Sequence, residues 1–227
     1  MSLKTTTVEF IFPEPLTPGS AVQLKIEYSG FLNNQMAGFY RSQYTDINGE
    51  SKYMASTQFE SLDARRCFPC IDEPAVKAMF GVTLTVESHL DVLSNMPVSH
   101  AERLSAKVKK VSFQDTPIMS TYLLAICVGE FDCVQTLTKN GVSITVFTPP
   151  GKSESGRFAL DAASFTLDTF DDFFQTKFPL PKLDMIAIPE FAMGAMEVSV
   201  SIMCFLVLCL NRQLLSHVLE LGIGHLP

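Results

Sequence analysis

Over much of the chain, apolar and polar residues alternate in short runs. Residues 8–12 alternate and are then punctuated by Pro13, Pro15, Pro18 and Gly19. Residues 21–28 alternate again, with Val22, Leu24, Ile26 and Tyr28 on one face, and stop at Ser29-Gly30. The runs 81–86, 107–113 and 119–128 repeat the pattern, the last with Tyr122, Leu124, Ile126 and Val128 in register. Side chains two apart in a strand share a face, so each run predicts a strand half covered by a core. Several such strands separated by Asn, Gly and Pro predict a sandwich-like β unit that closes near residues 129–135.

The period then changes. Residues 142–147 read as a strand ended by Pro149-Pro150-Gly151. In 157–174, Phe158, Ala162 and Phe165 recur at three-to-four spacing, as do Leu160, Ala163, Leu167, Phe170 and Phe174, with no Pro or Gly between them. That spacing predicts a helix, with Ser153 or Ser155 as its cap. Residues 182–188 read as a further short strand before Pro189. After Glu197 the character changes: of 17 Lys and Arg and 24 Asp and Glu in the chain, only Arg212 and Glu220 fall in 198–227. The longest unbroken apolar run there, 202–210, is far short of the roughly 20 residues a membrane span needs.

Composition narrows the classes. The 227 residues are 47% hydrophobic and 18% charged, which supports a sizeable core and argues against disorder. A net charge of -7 supplies no basic face for nucleic acid. Residues 1–10 show no basic start followed by an apolar stretch, so no secretory signal is expected. Six cysteines scattered over this length are not a disulfide framework, and a reducing, cytoplasmic setting is expected.

Candidate chemistry is sparse. Cys67-Phe68-Pro69-Cys70 has the spacing of a redox pair or half a zinc site, but no second Cys pair or His pair supports it, and two ordinary cysteines are the simpler reading. The histidines are His89, His100, His217 and His225, and no HExxH occurs. His217 and Glu220 are three apart, but Gly222, Gly224 and Pro227 crowd any helical continuation. There is no G-x-S-x-G elbow and no phosphate-cradling glycine loop. No catalytic residue and no metal ligand is therefore assigned. Acidic residues gather in 57–74 and again in 189–197. In the second stretch Gly194 and Ala195 leave the backbone bare, so another chain can approach and pair as an added strand, with Glu197 meeting its end. Periodicity alone favours an ordinary edge strand with a surface Glu.

Five stretches carry a resemblance. Gly194-Ala195-Met196-Glu197 resembles the GAMEN exopeptidase signature of the gluzincin zinc aminopeptidases, the aminopeptidase N and puromycin-sensitive aminopeptidase family. Residues 53–74, with TQFE, DARR, FPC and DEP elements, resemble that family's other block. So do Gly38-Phe39-Tyr40-Arg41-Ser42, Leu93-Ser94-Asn95-Met96 and Pro179-Leu180-Pro181-Lys182-Leu183-Asp184. The resemblance runs from about residue 7 to Glu197 and is nearest to the cytosolic, puromycin-sensitive branch.

The resemblance implies a mainly β fold with an α+β C-terminal part. Residues 1–135 would form a β-sandwich or saddle, 136–197 the beginning of a thermolysin-like catalytic domain, and 198–227 a divergent apolar tail. It implies that Glu60 and Glu197 hold the α-ammonium group of a peptide, while Gly194, Ala195 and Met196 line its first peptide unit. Gln58 is a weaker candidate, expected to face away from Glu60. The block 65–74 is expected to position Glu60 through Arg65 or Arg66 pairing with Asp72 or Glu73. Val198 replaces the signature's terminal Asn, and the resemblance is expected to stop there. The family's zinc ligands, general-base Glu and oxyanion Tyr have no counterpart, so zinc is the family's cofactor and none is expected on this interior piece. Peptide N-termini are the expected partners, with no nucleic acid and no membrane, and with association with a full-length relative as a further expectation. The alternatives are a non-catalytic peptide-binding or regulatory fragment and, last, a thiol oxidoreductase.

Overall fold

A computed structural model describes residues 7–190, 192, 195–198 and 201–205. The first unit holds two antiparallel sheets. β1 (Gly38–Thr45), β2 (Ser51–Gln58), β4 (Asp91–Ser94) and β7 (Ile126–Gly129) form one, in the order β1-β2-β7-β4. β3 (Thr83–Glu87), β5 (Val98–Arg103) and β6 (Val108–Phe113) form the other, in the order β3-β6-β5. Phe59, Val82, Val92, Val111, Phe113, Met119 and Leu124 pack in one core drawn from both. This is the sandwich that alternating strands predict.

The second unit is a mixed five-stranded sheet, β11-β12-β10-β9-β8. Its strands are β8 (Asp132–Leu137), β9 (Ser143–Thr148), β10 (Lys182–Ile188), β11 (Ala195–Val198) and β12 (Ser201–Phe205). β10 runs parallel to β9, and helix α1 (Arg157–Phe174) connects them, as a parallel crossover requires. The helix lays Ala159 and Leu160 on Val134, Ile144, Val146, Met185 and Ala187. Gly156 lets it approach: a Cβ there would sit 2.9 Å from Val146 Cγ1. Gln175 ends the helix in the left-handed region at φ 51°. Buried Asp171 ties that end down, accepting from Phe178 N at 2.8 Å and Asn140 Nδ2 at 2.7 Å.

Helix α1 and strand β10 have the bounds their periodicity predicts, and three other expectations need correction. Residues 8–12 and 21–28 join no strand ladder among the described residues. The run 119–128 is broken: Met119 bridges Ala78, a 3-10 turn follows at Thr121–Leu123, and β7 begins only at Ile126. Side chains take over the backbone bonds there, since Asn95 Nδ2 donates to Leu123 O and Ala125 N donates to Asn95 Oδ1, both at 2.8 Å. Neither Ser153 nor Ser155 caps the helix. Ser153–Gly156 forms a 3-10 turn, and Gly156 precedes the helix with no side-chain cap. β8 pairs with β9 and so belongs to the second sheet. The tail expectation for 198–227 lies mostly outside the described residues.

Candidate functional site

The stretches that carry the resemblance meet along the seam between the two units. At one end of β10, Lys182 Nζ donates to Ser94 O at 2.9 Å and pairs with Asp184. Burial raises the Asp184 pKa, while the Lys182 ammonium opposes the shift. At the other end, Tyr40 Oη and Ser42 Oγ both donate to the Glu190 carbonyl, at 3.0 and 3.2 Å, and Gln43 N donates to its carboxylate at 3.3 Å. Burial pushes the Tyr40 phenol up to about 12, so it remains a neutral donor. The strand that leads into 189–197 is thus sewn to β1 and β4 at both ends.

The TQFE–DEP block folds as a buried knot. Asp72 is 4% exposed. Its carboxylate accepts from Arg65 N at 3.0 Å, Arg65 Nε at 2.9 Å and Thr121 Oγ1 at 2.9 Å. Arg65 Nη2 also donates to Asp72 O at 2.8 Å. The expected pairing therefore falls to Arg65 with Asp72, while Arg66 pairs with Asp63 at 2.7 Å. A 3-10 turn at Ala64–Arg66 begins four residues after Glu60, so this knot lies just beyond the turn that carries Glu60.

Glu60 lies exposed in that turn, two residues beyond the end of β2. Because Glu60 lies beyond the end of β2, strand alternation does not relate its side chain to that of Gln58. Gln58 is buried, and neither atom of its amide has a hydrogen-bond partner among the described residues. Buried amides are rarely left so, which makes Gln58 a candidate for a ligand contact. The Met196 side chain is 3% exposed and packs with Tyr40, Met54, Ala125, Ile186 and Ile188, so only its backbone is available to a ligand. Ala195 packs on the opposite side, against the helix cluster.

β11 pairs only with β12 and forms the edge of its sheet among the described residues. Glu197 occupies a register position in it, opposite Ile202. Gly194 lies outside the described residues. β11 also abuts the Thr121–Leu123 turn. The next residue of that turn, Leu124, offers its carbonyl to Thr57 Oγ1, which in turn accepts from Ile126 N at 3.0 Å. The end of β2 and strand β11 therefore flank one shared turn.

No group of three His, Cys, Asp or Glu side chains among the described residues fits a metal ion. His89 sits beside Glu87 and Glu130, and His100 is exposed on β5. The described residues do not fit a zinc site. Burial raises the pKa of Cys67 and pushes the Cys70 thiol up to about 11 with Asp72 adding to it, the reverse of what an attacking thiolate needs. No helix among the described residues is long and apolar enough to cross a membrane.

Comparison with known proteins agrees with this layout. Residues 2–123 match the Peptidase M1 N-terminal domain and residues 158–217 match the Peptidase family M1 domain. The second match passes Val198, where the resemblance was expected to stop. The chain is 55% identical over 186 residues to aminopeptidase M1-B of Oryza sativa subsp. japonica, covering 82% of this chain and 21% of that protein. It is 52% identical over 177 residues to puromycin-sensitive aminopeptidase of Caenorhabditis elegans, covering 78% and 19%. The alanine/arginine aminopeptidase of Saccharomyces cerevisiae is 49% identical over 180 residues, covering 79% and 21%. The chain thus spans about a fifth of the length of these relatives.

Proposed function

This chain belongs to the peptidase M1 family, and from that premise we propose that it binds the free N-terminus of a peptide without cleaving it. Glu60 and Glu197 grip the α-ammonium group. The backbone of Gly194, Ala195 and Met196 pairs with the first peptide unit as an added strand, and the Gln58 amide hydrogen-bonds a peptide group. What supports the reading is the turn at Thr121–Leu123 shared by the end of β2 and by β11, with the Asp72 knot holding the Glu60 side of it.

Charge-assisted hydrogen bonds from an ammonium to carboxylates contribute about 1.5–3 kcal/mol each, enough to separate a free amine from a blocked one. Cleavage in the family uses zinc to acidify water and polarise the carbonyl. With no HExxH in the sequence, no hydrolytic step is assigned to these residues. A cytoplasmic setting is part of the same proposal, the reading that six cysteines scattered over this length favour. Pairing with a full-length relative is the second way such a chain would act. Calorimetry of the purified chain with a short peptide and its N-acetylated twin tests the proposal. Preference for the free amine is expected; equal or absent heats overturn it.

A further inference from the structure

Residues 21–31 form a segment with strand pattern and no strand partner among the described residues. Val22, Leu24, Tyr28 and Phe31 are exposed, Ile26 is half-buried, and no residue from 21 to 31 joins a ladder with the described residues. An extended run with open N–H and C=O groups and an apolar face is a template for another strand. Its sequence specifies which strand fits. In an antiparallel pair centred on Ile26, residues equally far from Ile26 face each other across the two chains. Lys25 then lies opposite Glu27, twice by symmetry. Gln23 meets Ser29, Leu24 meets Tyr28, and Ile26 meets its own copy. Val22 meets Gly30, around which nothing lies within 4 Å of a built Cβ.

Every position has a suitable partner: opposite charges, polar with polar, aliphatic with aromatic. Lys25 and Glu27 already contact each other at 2.5 Å within one chain, with side chains 80% and 79% exposed, where an ion pair contributes little. A second copy would turn them into an alternating row of four charges. A one-residue slip would set Lys25 against Ile26 and bury none of the apolar face against its match, so the register is specified.

We propose that this chain self-associates through residues 21–31 as an antiparallel, two-fold strand pair. The same patch is used by both copies, so the contact closes and does not propagate. Residues 8–12 carry a second unpaired alternating run with Val8, Phe10 and Phe12 exposed, which can extend the pair toward a four-stranded sheet.

Sedimentation equilibrium of the 227-residue chain, with charge-swapped variants, tests this. The wild type should form dimers. Lys25→Glu and Glu27→Lys each place like charges opposite one another twice and should weaken the dimer about tenfold or more. The double variant Lys25→Glu/Glu27→Lys restores both pairs and should restore the dimer. Because both side chains are exposed, all variants should melt like the wild type, which circular dichroism checks. A chain that stays monomeric throughout overturns the proposal, as does association indifferent to the single swaps or growth beyond dimers.

Discussion

Replacing Asp72 with Ala should be among the most damaging single changes in the first unit, although Asp72 is no part of the proposed peptide contact. The substitution removes a nearly buried carboxylate and strands three donors: Arg65 N, Arg65 Nε and the Thr121 hydroxyl. Breaking one partner of a buried pair costs about 3–5 kcal/mol. The Arg65 side chain is 29% exposed and recovers some water, which favours the low end, about 3 kcal/mol. For a chain of this size that corresponds to a fall in melting temperature of about 6–12 °C. Urea unfolding of Asp72→Ala, Arg65→Ala and the double variant would measure it. The two single losses should overlap, with a coupling energy of about 2 kcal/mol. A cost for Asp72→Ala within about 0.5 kcal/mol, the range of ordinary surface changes, would refute the claim that this knot holds the Glu60 turn.

Other expectations follow from neighbouring features. Tyr40 loses its proton near 10.0 when unfolded and near about 12 when folded, so the folded chain holds a proton that the unfolded chain has released between those values. Stability should therefore fall as pH rises through that window, by about 2–3 kcal/mol in total. Tyr40→Phe should cost about 1 kcal/mol at neutral pH for the lost bond to Glu190 and show a shallower alkaline decline, as urea titrations at several pH values would reveal. Cys67 and Cys70 should alkylate more slowly at pH 8 than a free thiol, and Cys127, buried with its thiol pushed up to about 12, only on unfolding; peptide mass spectrometry after timed labelling checks this, and rapid modification of Cys67 or Cys70 contradicts it. Gly151 has φ +83°, and a Cβ there would run into Ile47 Cγ2. Since Ile47 is exposed and can swing aside, Gly151→Ala should cost mainly the left-handed backbone strain, about 1–2 kcal/mol in chemical unfolding.

Helix α1 could be read from spacing because it presents a single stripe to a single core, and strand β10 from a short apolar run bounded by prolines, which the fold buries on both faces between two cores. β1 and β2 were not read as strands. GFYRSQYT and SKYMASTQ carry Ser, Gln, Thr and Arg among their apolar residues, and the pairing that makes them a hairpin is visible only in the fold. The reverse error affected 21–28, where a sound alternating pattern has no neighbour to bond. At the candidate site, the resemblance nominates Glu60 and Glu197, and of the pairings left open between Arg65 or Arg66 and Asp72 or Glu73 the fold forms Arg65–Asp72. It did not find the role of Met196 as a core residue or the stranded Gln58 amide, because burial depends on contacts more than a hundred residues away in the chain. Tyr40, Ser42 and Glu190 form the tie across the seam, and nothing in local spacing signals that a tyrosine on β1 will meet a backbone carbonyl beyond β10.

The most direct test is a calorimetric double-mutant cycle on free-amine selectivity, using Glu60→Gln, Glu197→Gln and the double variant with a peptide and its N-acetylated twin. If both carboxylates hold one ammonium group, each single variant should lose about tenfold or more of the preference for the free amine, and the double variant should lose less than the two losses combined. Undiminished preference in either single variant, or fully independent losses, would mean that these two side chains do not share a ligand.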